Sequence, residues 1–576
     1  NVKFCREFFW WLQFFIFEDE FNLIKKNMKK TIFLLSLALL TSCKTATNIS
    51  EKNQKTPFVW EGANLYFLLT DRFQNGDKSN DINFKRTEKP AVLRGFEGGD
   101  LRGIIQKVED NYFSDLGVNA IWMTPLVEQI HGFTDEGTGK TFAFHGYWAK
   151  DWTTLDPNFG TEKELKELVE KAHKKGIRVV LDVVINHTGP VTETDKVYPE
   201  SWVRTSPQCK YDNYENTTAC TLVANLPDVL TEENAPAELP QLLVDKWKKE
   251  GRYEAEMKSL NEFFTKYNLP KAPKYYIMKW LADYIVKYGV DGFRVDTVKH
   301  ANEDMWKEFQ KISQDAFDEF KKNNPSKILD DNSFFTVGEV YGYGISQKNN
   351  YDFGDKKVDY FQNGFNNLIN FDFKGDANKS YEETFAKYSQ ILNNEMKGFG
   401  VMNYVSSHDD SWPFDKDRKR TYESATKLLL TPGVSQIYYG DETARTLVVD
   451  GAEGDANLRS FMNWSDIKTN PETKKLLNHW QKLGKFRANH PAVGAGVHQM
   501  ISNSPYYFSR IYTKGNFTDK VIIGLDLDKG IKNIEVKGIF KEGDQIRDAY
   551  SGASMPVING KVSFNSDDEI VLLEKI

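Results

Sequence analysis

From Asn64 onward, short apolar β-rich runs alternate with amphipathic stretches, and this alternation restricts the fold more than any other feature of the chain. The candidate strands are Asn64–Leu69, Asn119–Met123, Arg178–Val184, Gly292–Val295, Phe334–Val337, Leu368–Phe373, Gly400–Val405 and Ser435–Tyr439. The stretches with helical periodicity are Glu162–Lys175, Tyr275–Tyr288, Asp304–Lys321, Tyr381–Asn394 and Thr421–Leu430. Strands separated by helices pair in parallel, and eight such units close most economically into a barrel. We therefore predict an α/β protein built on a (β/α)₈ TIM barrel.

Two parts of the chain break this rhythm. A long irregular insert follows His187, and it exceeds the length of an ordinary strand-to-helix loop. After His490 the helical pattern gives way to short alternating runs, for example Tyr506–Tyr512, which indicate an all-β antiparallel domain. The predicted boundaries are 58–187 and 274–489 for the barrel, 188–273 for the insert and 490–576 for the terminal domain.

The N-terminal region has the pattern of an export signal. Residues 1–27 mix aromatics and charges without a clear period, and we interpret them as upstream sequence translated in error. Residues 28–43 combine a charged start with an apolar run too short to span a bilayer, and they end in Leu-Thr-Ser-Cys, which resembles the lipobox of bacterial lipoproteins. We expect lipidation of Cys43 and a flexible tether over 44–57. An ordinary secretory signal with a chance cysteine is the alternative.

Composition excludes some classes of function. A formal net charge of −7 and a pI near 5.9 provide no basic field for nucleic acid. No CxxC pair or His-rich tract indicates zinc, and no Gly-rich loop indicates phosphate chemistry. Cys209 and Cys220 both lie in the insert, where an exported protein is expected to join them in a disulfide; two free thiols are the alternative.

Four segments combine a predicted strand end with acidic, His or Arg residues. They are Asp182–His187, Gly292–His300, Gly338–Tyr341 and Val405–Asp410. Taken in this order, they resemble the four signature regions of the α-amylase family of glycoside hydrolases. The resemblance extends from Asn64 to the C-terminus and is strongest through Asp409. It implies that the insert is the family's domain B, which follows the third strand, and that the terminal domain is its domain C.

The resemblance also implies a retaining mechanism carried by three acids. Asp296 would be the nucleophile, Glu339 the general acid/base, and Asp409 the residue that stabilises substrate distortion through sugar hydroxyls. Arg294 lies two residues before Asp296 on the same strand, so both point the same way and the arginine can keep the carboxylate ionised. Glu339 must hold a proton near neutral pH, so its surroundings should raise its pKa. The alternative is that these acids are surface or structural charges.

Further residues match positions at which the family binds sugar. They are His145, Tyr147, Trp148, His187, Arg294, Lys299, His300 and His408. Tyr147 would stack on the sugar at the cleavage point, and His187 and His408 would bond its hydroxyls. Lys299 and His300 would meet the sugar on the leaving side. For the His145–Trp148 segment, a packed turn is the alternative.

Two structural calcium sites are implied in the same way. The first would use Asn186, Asp228 and the main-chain carbonyl of His300, between barrel and insert. The second would lie in the first barrel loop and use Asn75, Asp77, Asn80, Asp81, Gly98 and Asp100. Both sets consist of oxygen donors, as a hard cation prefers. An ordinary solvated polar turn is the alternative for the second.

These features lead to one expected function. We expect an exported α-amylase, anchored by lipid to a bacterial membrane at the outer membrane or cell surface and stabilised by calcium. It would cleave α-1,4-glucosidic bonds of starch, glycogen or maltooligosaccharides. The segment Asn225–Val229 favours an α-amylase over neighbouring branches. Alternatives are a cyclomaltodextrinase, a pullulan-degrading enzyme or a glucanotransferase of the same family, and, from another class, a non-catalytic starch-binding protein. Oligomeric state is left open.

Overall fold

Eight parallel strands, β1 to β8, form a closed barrel at the centre of the molecule. Their bounds are Asn64–Leu68, Ala120–Met123, Arg178–Val183, Gly292–Val295, Phe335–Gly338, Asn367–Asn370, Gly400–Tyr404 and Val434–Tyr438. Each strand pairs with the next along the chain, and β1 pairs with β8 to close the ring. All eight strands are fully buried, which explains why they read as apolar runs rather than as alternating patterns. The predicted fold class is confirmed.

The computed structural model describes residues 56–576 with the exception of Glu136. The predicted upstream segment, the signal peptide with Cys43, and most of the tether therefore lie outside the described residues. Residues Pro57–Ile576 form one compact unit. Over the described part of the chain, the structure contains no helix with the length and apolar character that crossing a bilayer requires.

Seven longer helices, α1 to α7, cover the outside of the barrel. Their bounds are Leu101–Glu109, Glu162–Lys174, Pro273–Tyr288, Met305–Asn323, Tyr381–Asn393, Thr421–Leu430 and Pro471–Asn489. Helix α2 begins with a capping box between Thr161 and Glu164, and α5 begins with a second one between Ser380 and Glu383. The connection from β5 to β6 differs from the others, because it consists of a 3₁₀ turn, Ile345–Gln347, and a two-stranded hairpin over residues 351–358.

The insert follows β3 and ends where α3 begins at Pro273, one residue before the predicted restart of the barrel. It contains a two-stranded ladder, Val203–Arg204 with Asp228–Val229, and two helices, Gln241–Lys249 and Tyr253–Tyr267. Its Trp202 stacks on Trp280 of α3 with ring centroids 6.1 Å apart, which fixes the insert to the barrel. The structure joins Cys209 to Cys220 in a disulfide.

The terminal domain is an antiparallel β structure with strands β9 to β16. Their bounds are Val497–Asn503, Tyr506–Lys514, Phe517–Leu525, Gly530–Glu535, Gln545–Asp548, Ser554–Pro556, Lys561–Ser566 and Val571–Lys575. Six of them form one sheet in the order β9-β10-β11-β16-β13-β14, and β12 pairs with β15. Part of its apolar surface belongs to the same core as the barrel, so the two domains pack without a separating linker.

Candidate active site

Four acidic side chains meet at one end of the barrel. Asp182 lies in β3, Asp296 follows β4, Glu339 follows β5 and Asp409 lies in the loop after β7. Because the strands are parallel, their carboxyl ends form a single rim, and residues far apart in sequence come together there. The three acids predicted from the sequence are therefore brought into one cluster, together with a fourth that was not predicted.

Arg294 in β4 is the centre of this cluster. Its Nη1 lies 2.7 Å from Asp296 Oδ1 and 3.0 Å from Asp182 Oδ1, and its Nη2 lies 3.0 Å from Glu339 Oε1. The Arg294 side chain is 1% exposed. One buried guanidinium thus contacts three carboxyl groups, and its rigid planar geometry fixes them relative to one another.

The electrostatic balance around Arg294 favours a proton on the acids. Burial raises the pKa of Glu339 to about 7, although Arg294 opposes the rise. Burial also raises the pKa of Asp296 above its usual value, again against the effect of Arg294, so the arginine limits the rise but does not cancel it. The rim holds four carboxyl groups against the guanidinium groups of Arg294 and Arg459. Because buried like charges cannot all ionise together, a proton retained at Glu339 near neutral pH is the expected result.

Asp409 is held in a different way. Arg459 Nη2 lies 2.7 Å from its Oδ1, and His408 Nε2 lies 2.9 Å from its Oδ2. Desolvation raises the pKa of Asp409, but the contact with His408 and the charge of Arg459 outweigh this effect and hold the pKa well below its usual range. Its side chain is 38% exposed, far more than that of Asp296 or Glu339. Asp409 is therefore an ionised and accessible hydrogen-bond acceptor.

An aromatic wall lies beside the acids. The Tyr147 hydroxyl donates to Asp182 Oδ2 at 2.8 Å, and its ring stacks on His408 with centroids 5.2 Å apart. His145 Nδ1 accepts a hydrogen bond from the Tyr147 backbone N–H at 3.1 Å. Trp148 is placed elsewhere, because its buried ring belongs to a small apolar cluster with Ile130 and neighbouring residues. The segment is a packed turn that also presents Tyr147 to the acids.

Comparisons with known proteins agree with this geometry. The alpha amylase catalytic domain family matches residues 67–485. The chain is 35% identical over 505 residues to the periplasmic alpha-amylase of Escherichia coli (strain K12). This alignment covers 78% of this chain and 70% of that protein. It belongs to the α-amylase family of glycoside hydrolases. The enzyme is also 27% identical over 533 residues to the cyclomaltodextrin glucanotransferase of Geobacillus stearothermophilus, covering 88% of this chain and 64% of that protein.

The fold agrees with that of solved family members. The alpha-amylase of Geobacillus thermoleovorans, whose crystal structure contains acarbose, superposes with a TM-score of 0.60 at 19% identity. The alignment covers 90% of this chain and 99% of that one. The two chains therefore share one fold over nearly the whole length of the neighbour.

Of the remaining predicted sugar-binding residues, two lie at the rim of the barrel and one is turned toward the insert. His187 lies beside Tyr147, with its Nε2 3.1 Å from the Tyr147 carbonyl, and burial lowers its pKa to about 4. His300 is turned toward the insert, with Nδ1 3.1 Å from the Thr217 carbonyl, and burial lowers its pKa to about 3. Both histidines are therefore neutral near pH 7. Lys299 reaches the rim, where its Nζ donates to the Tyr341 carbonyl at 2.9 Å.

The first predicted metal site has the features that a cation would satisfy. Asn186 Oδ1 and Asp228 Oδ1 are buried and have no hydrogen-bond partner among the described residues. The Val229 N–H donates to the Asn186 carbonyl at 2.8 Å, which draws the insert against the end of β3. Arg204 Nε, 2.9 Å from Asp228 Oδ2, is a cation of the protein close to this site. Unsatisfied buried oxygens next to a carboxylate fit a hard cation.

The second predicted metal site fits less completely. Asn75 and Asn80 each bury an Oδ1 atom that accepts no hydrogen bond within the described chain. Gly98, at φ +89°, lies so close that a Cβ would stand 2.4 Å from Asn75 Nδ2 and 2.7 Å from Asp81 Oδ1, so glycine is required. Asp100 instead caps α1 and accepts from three backbone N–H groups, and Asp77 caps a 3₁₀ turn. Within residues 56–576, no cluster of three or more His, Cys, Asp or Glu side chains forms a metal-binding set.

Sequence reasoning missed two residues of the cluster. Asp182 accepts from Arg294, Tyr147 and the indole Nε1 of Trp122, and it opens the first of the four segments, so its position there was a usable signal. Arg459 follows β8 in a 3₁₀ helix, Gly454–Arg459, and no local pattern distinguishes it. Only the folded chain brings it to Asp409.

Proposed function

We propose that the enzyme hydrolyses α-1,4-glucosidic bonds of starch, glycogen or maltooligosaccharides by a retaining double displacement. The single observation that supports this most is that Arg294 joins two carboxyl groups, those of Asp296 and Glu339. Retaining glycosidases need two carboxyl groups at a short separation, so that one attacks the anomeric carbon while the other protonates the leaving oxygen. Sharing one guanidinium holds both groups close together.

Each acid has a role that its surroundings support. Asp296 attacks the anomeric carbon and forms a glycosyl-enzyme, while Glu339, with its raised pKa, gives its proton to the leaving oxygen. Glu339 then removes a proton from the water that hydrolyses the intermediate. Asp409, kept ionised by Arg459 and His408, accepts hydrogen bonds from sugar hydroxyls and favours the distorted ring. Arg294 keeps the carboxyl groups of Asp296 and Glu339 in fixed positions during the reaction.

The residues around the acids supply the sugar site. Tyr147 presents a ring face on which a pyranose can stack, and its hydroxyl is fixed by Asp182. His187 has a buried Nδ1 that makes no hydrogen bond to any described residue, so it can bond a sugar hydroxyl. A glucan substrate is also supported by solved structural neighbours, whose crystals contain acarbose, maltose or maltotriose. Preference for cyclodextrin or pullulan is the alternative outcome of the test.

We propose that Ca²⁺ occupies the site at Asn186, Asp228 and the His300 carbonyl, and a second site at Asn75, Asn80 and Asp81 near Gly98. When bound, the ion would neutralise Asp228 and hold the insert to the barrel rim; it would supply no step of the chemistry. The test is thermal unfolding with calcium and after chelation. An unchanged melting temperature would contradict the proposal.

Export and lipid anchoring at the outer membrane or cell surface are also proposed, on the basis of residues 28–43. The expected result is incorporation of labelled fatty acid in growing cells and its loss in Cys43→Ser. Labelling that survives this substitution, or no labelling of the wild type, would contradict the proposal.

The function itself is tested by product analysis. Purified protein is incubated with soluble starch, pullulan and cyclodextrin in parallel, and NMR follows the anomeric form of fresh products. Release of α-configured maltooligosaccharides from starch, lost in Asp296→Asn and kept in the control Asp567→Asn, is expected. Asp567 is an exposed aspartate of the terminal domain. Release of β-configured products would contradict retention, and no release from any glucan would favour a binding protein.

A further inference from the structure

We propose that Tyr351, in the hairpin between β5 and β6 called the rim hairpin (residues 351–358), is a positioning residue for Lys299, and that it holds the Lys299 ammonium ready to contact the leaving maltooligosaccharide. This inference rests on the proposed hydrolysis of α-glucans and extends it to the part of the substrate that is released.

Lys299 is held in place by two tyrosines. Its Nζ donates to the Tyr351 hydroxyl at 3.1 Å and to the Tyr341 carbonyl at 2.9 Å, and it lies within 5.3 and 5.6 Å of the centroids of the Tyr351 and Tyr341 rings. The Tyr351 hydroxyl in turn donates to the same Tyr341 carbonyl at 3.2 Å. An ammonium group has three N–H donors, and these contacts use two. The third is available to a sugar hydroxyl.

The position of this group relative to the acids identifies the side of the cleft. Tyr341 comes two residues after Glu339, and Lys299 comes three residues after Asp296. The Thr297 N–H donates to Glu339 Oε2 at 2.9 Å, and the Val298 N–H donates to the Glu339 carbonyl at 2.9 Å, so the segment that carries Lys299 lies against the acid that protonates the leaving oxygen in the proposed function. The Tyr341 side chain is 49% exposed and offers a ring face for stacking. Lys299 and Tyr341 together thus make a polar and an aromatic contact for a leaving sugar.

The insert supports the rim hairpin from the other side. The Phe353 ring packs edge-on against Tyr351 at 4.9 Å and against Tyr214 of the insert at 5.2 Å. The Tyr214 backbone N–H donates to Asp355 Oδ1 at 2.9 Å. Tyr214 and Lys356 both contact the Glu303 carboxylate, and Lys356 Nζ lies 3.8 Å from the Tyr214 ring centroid. The loop closed by the disulfide therefore fixes the hairpin, and through it Lys299.

The experiment compares two substrates in the full-length enzyme. Maltoheptaose places sugar on the leaving side, whereas an aryl maltotrioside cleaved at its nitrophenol releases no sugar there. In Tyr351→Phe, which keeps the ring and removes the hydroxyl, we expect the ratio of kcat/KM for maltoheptaose to that for the aryl substrate to fall about three- to tenfold, the effect of one lost hydrogen bond. Cleavage of end-labelled maltoheptaose should move toward shorter leaving groups.

Two further variants complete the test. Lys356→Met, which loosens the hairpin from the insert, should lower the ratio in the same direction but less. Tyr512→Phe in β10 is the matched control and should leave the ratio unchanged. An unchanged ratio in Tyr351→Phe, or an equal loss on both substrates, would overturn this inference while leaving the proposed function intact. Wild-type enzyme that cleaves neither substrate would overturn the proposed function and this inference with it.

Discussion

Two buried arginines in this enzyme have opposite surroundings. Arg294 at the barrel rim contacts three carboxyl groups; burial alone would lower its pKa, but Asp182 and Glu339 raise it well above its usual value. Arg487 of α7 is equally buried, but its guanidinium donates to main-chain carbonyls, with Leu429 at 3.0 Å and Thr431 at 2.9 Å, and burial lowers its pKa to about 9. The barrel rim thus pairs its buried arginine with carboxyl groups, whereas the surroundings of Arg487 pair theirs with uncharged carbonyl groups.

The difference indicates what each region is built for. Clustered buried charges cost free energy, and they are retained where chemistry requires acids with altered pKa values. An arginine that bonds carbonyl groups instead joins the ends of strands and helices without setting the protonation of anything around it. We therefore expect changes at Arg294 to affect turnover, and changes at Arg487 to affect folding.

The largest effect should come from the proposed nucleophile. Asp296→Asn keeps the shape of the side chain but removes the attacking carboxylate, so kcat on maltoheptaose should fall by about 10⁴-fold or more. The melting temperature should change little, because the amide can still accept from Arg294. Residual turnover within tenfold of wild type would assign the nucleophile elsewhere.

One matched pair of substitutions tests directly whether Arg294 serves turnover and Arg487 serves folding. Arg294→Met should lower kcat by about 10²- to 10³-fold because the carboxyl groups lose their common partner. Arg487→Met should leave kcat of the folded enzyme near wild type but reduce the free energy of unfolding by about 3 kcal/mol, since buried carbonyls lose their donor. Denaturant unfolding and initial rates measure both. The reverse pattern would refute the comparison.

A second cluster of buried charged groups lies at the junction with the terminal domain, and there the charges are expected to serve stability and not turnover. His490 places Nδ1 2.9 Å from Asp519 Oδ1 and Nε2 2.5 Å from Glu574 Oε2, and although burial acts against it, these acids raise its pKa to about 9. Because folding raises the pKa of His490, the protonated imidazole stabilises the folded state. This stabilisation is fully present below the unfolded pKa, near 6.5, and is lost as the pH rises through the folded pKa, about 9.

Between pH 6 and pH 10, the wild type should therefore lose on the order of 3 kcal/mol of unfolding free energy that His490→Gln does not lose. Denaturant unfolding at a series of pH values measures the difference, with turnover of the folded enzyme as the control. Parallel pH profiles for the two proteins would show that the junction does not depend on this charge.

The smallest effect expected is on the pH profile of turnover. Glu339 must carry a proton to act as the acid, and its pKa is about 7, so kcat/KM should fall about tenfold per unit as pH rises above that value. Asp409→Asn removes a negative charge that raises the pKa of Glu339, so in the residual activity of this variant the limb should move to lower pH. A limb that stays in place would mean that another group controls it.

Much of the fold was accessible from sequence because its signals are local. A strand buried on both faces must be an apolar run, and seven of the eight predicted strands agree with the observed ones to within one residue at either end, as with Ser435–Tyr439 against Val434–Tyr438. The exception is Leu368–Phe373, because the observed strand ends three residues earlier, at Asn370. The connection between β5 and β6 was not anticipated as a hairpin, since strands of two residues such as Tyr351–Asp352 leave no periodic pattern.

The amino-acid sequence by itself determined the barrel, the family and the three acids, because apolar runs and short motifs are properties of neighbouring residues. Only the tertiary structure decided which groups surround those acids: Asp182 and Arg459 reach the rim from β3 and from beyond β8, Trp148 packs away from it, and Tyr214 of the insert supports the rim hairpin. The physical reason is that pKa values and subsites depend on distances between side chains, and chain closure brings together residues that no local pattern connects.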